Sequence, residues 1–281
     1  MLTSRQNPVV KGVKKLHHSK NRHKENLYLL EGTNPVSVAV ALKYPLKVVL
    51  ATIPWQEKHP HLWSQLQSLA EKAETVSEEI MAWLATTVNP DGVVAAAPRF
   101  PDHHPPPSLQ LGLVLERIQD PGNMGTIIRT SVAMGVDFLW LSRDCVDLDH
   151  PKVIRASAGE WFKIKWSVVD NLLELISQYR LQGYQIVATE PRGSISLWQM
   201  DFYPPTLVLV GNESQGLSPT LKAMATHKVK IPLLNQVESL NVAVATSLVL
   251  AEYQRQRQLQ KTQDNTYGTP HHRLESSGGN P

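Results

Sequence analysis

Three short stretches of this 281-residue chain combine turn-forming residues with small polar side chains: RIQDPGNMG (117–125), GNESQGLS (211–218) and PLLNQVESLN (232–241). They offer the amide of Asn123, the carboxylate of Glu213, the hydroxyl of Ser239 and the amide of Asn241. One cation, Arg129, lies a turn inside the helical pattern that follows the first stretch. Each stretch runs into a helix-like segment, whose first backbone N–H groups are free to bind a ligand. Such a set can orient a polar ligand and stabilise developing negative charge. It does not read as a phosphate-cradling nucleotide loop, because G-x-G-x-x-G and the Walker lysine are both missing. Taken singly, each residue also has a plainer reading: Asn-Glu closes a turn, Ser239 caps a helix, and Arg129 is a surface arginine lying along its helix.

The elements that must position these residues are legible from periodicity. LGLVLE (111–116) is apolar on both alternating faces, as in a buried parallel strand, and VDFLWLS, YQIVATE, TLVLVGNE and HKVKIPL read as further strands. Helices are expected from the first loop to about Met134, over NLLELISQYRLQG, and from Ser218-Pro219 to Ala225. A long closing helix, SLNVAVATSLVLAEYQRQRQLQ, is expected to be capped by Ser239. In an open parallel sheet, ligands collect at the carboxyl ends of the strands, where all three loops fall.

Upstream, residues 98–108 (PRFPDHHPPPS) carry five prolines and read as a linker between units 1–97 and 109–262. The first unit reads as a small α/β sandwich. It comprises a single basic helix over NPVVKGVKKLHHSKNRHKE, strands at LYLLEG, LKVVLAT and GVVAAA, and helices over NPVSVAVALKY, HLWSQLQSLAEKA and ETVSEEIMAWLATT. Residues 263–281 are polar and aperiodic, and a disordered tail is expected.

Net charge is only +3, but residues 1–25 hold seven Lys or Arg against one acid. Arg5, Lys11, Lys14, Lys15 and Arg22 are therefore expected to meet phosphates, the plainer reading being a solvated helix face. The single Cys145 excludes an internal disulfide and suits a reducing compartment. No metal-ligand spacing occurs, no apolar run is long enough for a bilayer, and MLTSRQNPVVKGVKK lacks a signal peptide's apolar stretch. The expected location is the cytoplasm, with no metal and no membrane partner.

In their order and spacing, DPGNMGTIIRTSVAMGV, LVLVGNESQGLS and VKIPLLNQVESLNVAVATSLVLAEY resemble the three signature motifs of the SpoU (TrmH-like) branch of the SPOUT RNA methyltransferases. KVIRASAGEWF (152–162) looks like the segment between the first two, with Glu160 where a small residue is usual. The amino-terminal SRQNPVVKGVKKLHHSKNRHKENLYLLEG and NPDGVVAAA are similar to the RNA-binding domain fused to rRNA ribose methyltransferases of this family.

The resemblance implies a parallel-sheet SPOUT domain with a deep trefoil knot, a homodimer, and a ribosomal-protein-like α/β-sandwich domain ahead of it. It also implies S-adenosylmethionine as cofactor and a ribose 2′-hydroxyl of RNA as methyl acceptor. Carried over by position, Gly211, Ile231 and Leu240 would contact the cofactor, with Leu209 and Ala245 as apolar walls. Asn123, Arg129, Glu213, Ser239 and Asn241 would form the catalytic set, with Glu213 holding the loops and Arg129. A guanidinium gives up its proton reluctantly, so a clamp on RNA phosphate and the developing alkoxide suits Arg129 better than the role of base. A guanosine of large-subunit rRNA is the expected target. A tRNA methyltransferase, a catalytically silent RNA-binding protein of the same fold and a Rossmann oxidoreductase are the competing readings, the last disfavoured by the missing dinucleotide fingerprint.

Overall fold

The computed structural model describes residues 1–99 and 103–267. The first unit contains α1 (Pro8–Lys15), α2 (Ser19–Glu25), β1 (Leu27–Glu31), α3 (Thr33–Ala41), β2 (Leu46–Ala51), α4 (Ile53–Lys58), α5 (Pro60–Leu69), β3 (Ala70–Thr75), α6 (Glu78–Leu84) and β4 (Val93–Pro98). Its sheet has the order β1-β4-β2-β3. Two expectations are corrected here. The single basic helix is two helices, broken at Leu16–His18, where the Arg22 guanidinium donates to the carbonyl oxygens of Leu16 and His17 at 3.0 and 3.1 Å. The helix expected over HLWSQLQSLAEKA stops at Leu69, and residues 70–75 pair with β2 instead. Tertiary pairing overrides the local helical pattern there, because β2 otherwise has an unpaired edge.

The second unit runs β5 (Leu111–Leu115), α7 (Pro121–Ala133), β6 (Phe138–Ser142), α8 (Pro151–Ala156), β7 (Trp166–Val169), α9 (Leu172–Leu181), β8 (Gln185–Thr189), β9 (Ile195–Ser196), β10 (Thr206–Val210), α10 (Pro219–Met224), β11 (His227–Lys230) and α11 (Val242–Tyr267). All seven strands are parallel, in the order β7-β6-β5-β10-β8-β11-β9. From β5 the chain moves outward to β7, then returns to insert β10 beside β5. That reversal sets the carboxyl ends of β5 and β10 next to each other, where a crevice opens. β5 and β10 are buried along their whole lengths, as their unbroken apolar runs require.

The proline-rich segment does not leave the two units loosely tethered. One hydrophobic cluster includes Tyr28, Leu30 and Val36 from the first unit and Leu113, Ile128, Val153 and Trp161 from the second. The rings of Tyr28 and Trp161 lie 4.9 Å apart, and those of Tyr44 and Phe162 lie 5.5 Å apart. Gly159, at φ 89°, lets α3 approach: a Cβ there would sit 2.6 Å from Val38 Cγ2. Beyond the prolines, the His103 N–H donates to the Trp166 carbonyl at 3.1 Å.

Charged groups are buried at the same junction. Glu31 accepts from the N–H and hydroxyl groups of Thr86 and Thr87, and from Arg155 Nη1 at 2.8 Å. Burial pushes its carboxyl upward, but those hydrogen bonds and Arg155 prevail and hold it below the usual carboxylate range. Arg22 is 1% exposed and bonds Asp147 at 2.7 Å, while Arg99 pairs with Asp149. Arg22 is therefore corrected from an RNA contact to an internal strut. Burial and the neighbouring Asp147 push Asp149 up.

The carboxyl-terminal boundary also moves. α11 continues through Tyr267, so residues 263–267 are helical, and the rest of the expected tail (268–281) lies outside the described residues. Among the described residues no helix is long and apolar enough to cross a membrane.

Candidate active site

The three polar loops converge at the sheet's reversal point. Asp120 caps α7, its Oδ1 accepting from the Asn123 N–H at 2.8 Å, and Pro121 occupies the first turn, where no N–H is needed. In the second loop Asn212 and Gly216 exchange backbone hydrogen bonds, closing a tight hairpin. Gly211 enters that hairpin. A Cβ there would lie 2.1 Å from the Leu217 nitrogen, so the close approach of the loop's own backbone requires glycine.

Glu213 binds the first loop. Its carboxylate accepts from the backbone N–H of Asp120 and the side-chain amide of Asn123, both at 3.2 Å. Asn123 Oδ1 in turn accepts from Asn241 Nδ2 at 2.9 Å. Asn241 Oδ1 accepts from the N–H groups of Ala243 and Val244 at 2.9 and 3.3 Å, which makes Asn241, not Ser239, the cap of α11. One hydrogen-bonded chain, Asn241–Asn123–Glu213, thus joins the three loops.

Beside it lies a cavity of about 350 Å³. Gly211, Ile231, Leu240 and Ala245 line it, together with Glu213 and Ser239. Leu209 does not: it is fully buried behind the second loop, packed with Leu217 and Leu221, because alternate β10 residues face away from this side. The Ser239 hydroxyl is exposed and forms no hydrogen bond among the described residues. Arg129 stands apart. α7 turns Met124, Ile127, Ile128 and Ser131 inward and leaves Arg129 exposed, with no ion pair or hydrogen bond among the described residues. Glu213 therefore holds the first loop rather than Arg129.

Two residues of this region, Glu190 and Arg117, were not singled out from sequence. Glu190, which follows β8, stands in the cavity wall, and its Oε1 is buried without a hydrogen bond among the described residues, 3.7 Å from Lys222 Nζ. Arg117 holds a left-handed backbone (φ 56°) and donates to Gln215 Oε1 at 3.2 Å on the outer side of the loops. A positive φ on a residue other than glycine leaves no mark in a periodicity reading. Glu160 ion-pairs with Lys163 at 2.9 Å, away from the three loops.

A cavity with apolar walls, loop backbone on one side and an unsatisfied carboxylate oxygen fits S-adenosylmethionine, which carries an adenine, ribose hydroxyls and charged ends. Among the described residues no cluster of three metal-binding side chains occurs.

The SpoU rRNA Methylase family model matches residues 110–251, and the MRM3-like substrate binding domain matches residues 7–95. An uncharacterized tRNA/rRNA methyltransferase of Synechocystis sp. is 45% identical over 257 residues, 91% of this chain and 94% of its own. The 23S rRNA (guanosine(2553)-2′-O)-methyltransferase RlmP of Bacillus subtilis is 29% identical over 89% of this chain and 97% of its own. The SpoU methyltransferase AviRb from Streptomyces viridochromogenes, solved in complex with AdoMet, superposes with a TM-score of 0.80 at 27% identity, covering 90% of this chain and 98% of that one.

Proposed function

We propose, from the premise that this chain belongs to the SpoU rRNA methylase family, that it methylates a ribose 2′-hydroxyl of large-subunit rRNA, on a guanosine, with S-adenosylmethionine as donor. The observation that carries this reading is the Asn241–Asn123–Glu213 chain, which fixes three loops around a cavity lined by Gly211, Ile231, Leu240 and Ala245. The resemblance of the first unit to a substrate-binding domain, and of the whole chain to RlmP, favours rRNA over tRNA.

When bound, S-adenosylmethionine supplies a methyl carbon already made electrophilic by its sulfonium. The chain's own residues then have to align an acceptor oxygen and assist loss of its proton. Alignment by rigid loops is worth up to about 7–11 kcal/mol. Glu213 holds the first loop through two of its donors, and Asn123 and Asn241 lock each other in place. The hydroxyl of Ser239, which lines the cavity, would hydrogen-bond beside the reacting centre. Arg129 would clamp the adjacent RNA phosphate and stabilise negative charge as it develops on the ribose oxygen.

Within one chain Arg129 makes no bond to the Glu213 network, which supports a site completed across a homodimer. The exposed faces of α7 and α11 meet solvent through Arg129, Val244 and Ala251. Val249 is fully buried, and Val242 and Ala245 line the cavity. Light scattering is expected to report a dimer, which Val244→Glu would weaken. An active monomer at working concentration would overturn this.

The function is tested by calorimetric titration of the protein with S-adenosylmethionine and with NAD, and by mapping ribose methylation in RNA from cells lacking it. Loss of one large-subunit rRNA methyl group is expected. Loss confined to tRNA would replace the rRNA reading, and heat on binding NAD alone would overturn the methyltransferase reading.

A further inference from the structure

On the first unit, α1 and α6 enclose a groove of about 620 Å³ lined by Arg5, Lys11, Lys14, Lys15, His17 and Trp83. Sequence reasoning picked out its cations but not its ring. Lys14 Nζ lies 5.1 Å from the centroid of the Trp83 ring, and the Arg5 guanidinium carbon 5.9 Å from it. The two cations are held differently. Lys14 Nζ donates to the Trp83 carbonyl at 2.5 Å, which fixes it along the groove. Arg5 pairs with Glu79 at 3.0 Å between side chains that are 52% and 75% exposed, a contact that water screens. Arg5 is therefore free to lift away from the ring. The indole itself is partly buried against the core beneath α1, which pre-orders it, and its N–H makes no hydrogen bond among the described residues. Lys11 and Lys15 are exposed on the groove's wall and form no ion pair among the described residues.

A pre-ordered aromatic ring in a groove that also carries two cations without an ion pair among the described residues, Lys11 and Lys15, is the chemistry that receives an unstacked base and its flanking phosphates. We propose that this groove binds a single-stranded segment of the RNA substrate, with Trp83 stacking one base under Arg5 while Lys11 and Lys15 contact the adjacent phosphates. This rests on the RNA reading of the preceding section and adds to it the form of the RNA, unpaired rather than duplex, and the residue that selects that form. A duplex keeps its bases stacked on one another and can offer the groove phosphates only. Stacking and phosphate contact also respond to salt in different ways. Losing a phosphate contact flattens the dependence of affinity on salt, whereas losing a stacked base lowers affinity equally at every salt concentration.

The test uses the full chain, with fluorescence-labelled single-stranded and duplex oligoribonucleotides of one mixed sequence titrated over a range of salt concentrations. Trp83→Ala is expected to weaken single-strand binding about ten-fold or more with an unchanged salt slope, and to leave duplex binding as it was. Trp83→Phe, which keeps a ring against the core, is expected to retain most of the affinity. Lys11→Ala combined with Lys15→Ala is expected to flatten the slope for both RNAs. Wild-type affinity in Trp83→Ala would overturn the proposal, as would an equal loss on duplex or a Phe variant as weak as the Ala variant. If the wild-type chain binds neither RNA, the RNA reading itself fails, which is distinct from failure of the stacking site alone.

Discussion

Arg129 projects from α7 into solvent with no ion pair or hydrogen bond among the described residues, while Met124, Ile127, Ile128 and Ser131 on the same helix are committed to the core. In the proposed reading that side chain serves the RNA, outside the chain. Arg129→Ala is therefore expected to leave stability within about 0.5 kcal/mol of wild type and cofactor affinity unchanged, while turnover falls by about a hundred-fold or more. Thermal melts, calorimetry and single-turnover methylation on one preparation check all three. Near-normal turnover by the folded variant would remove Arg129 from the reaction. Its neighbour in sequence reasoning, Arg22, shows why residue type alone misleads: both are arginines in helices, but Arg22 is enclosed and bonded to Asp147. Local charge density put Arg22 among the RNA contacts; only the second unit, more than a hundred residues further along the chain, reveals its partner.

Caps and edges decide the elements. Asn241 ends the third loop, caps α11 and bonds Asn123, so one amide serves both helix start and site. Asn241→Ala is expected to cost about 1 kcal/mol of stability and to lower turnover further than that loss of cap explains, because the loops lose their tie. Ser239→Ala, which removes no hydrogen bond among the described residues, is expected to keep the wild-type melting temperature and to lower turnover only. Equal melting and turnover for the two variants would show that the network does not position the site. The parallel strands β5, β6, β8, β10 and β11 and the three loops were legible in the sequence, since unbroken apolar runs and turn residues encode them locally. β3 was not, because AEKAET has no strand pattern of its own and is extended only by the edge of β2. The cap of α11 was misplaced by two residues for a similar reason: Ser and Asn both cap well, and the choice falls to Asn241 through its bond to Asn123. Leu209 was read as a cofactor wall because adjacency in sequence to Gly211 says nothing of which face of β10 it takes.

Across the whole molecule, the buried junction makes stability depend on acid. Glu31 is held below its ordinary carboxylate range in the folded state, so its contribution is fully present above the unfolded value and is lost as pH falls through the folded one. Asp147 acts in the same sense: burial pushes it up, but Ser19 and Arg22 outweigh that. Stability should therefore fall as pH drops below about 4, where carboxylates begin to protonate. Glu31→Gln is expected to cost about 1.5–3 kcal/mol at neutral pH and to show a smaller acid-induced loss than wild type. Melting curves at neutral and acid pH for both chains check this, and an unchanged acid response in the variant would place the dependence elsewhere. The sequence suggested a tether at residues 98–108, yet Tyr28, Glu31 and Gly159 make the two units one packed body. A protein built this way cannot be recombined like beads on a string. Transplanting a foreign RNA-reading unit in front of residue 109 would leave Trp161, Arg155 and Asp147 facing strangers. Inheritance of a new target would then require the seam to change along with the reader, and the angle between reader and catalyst would be passed on as a single trait.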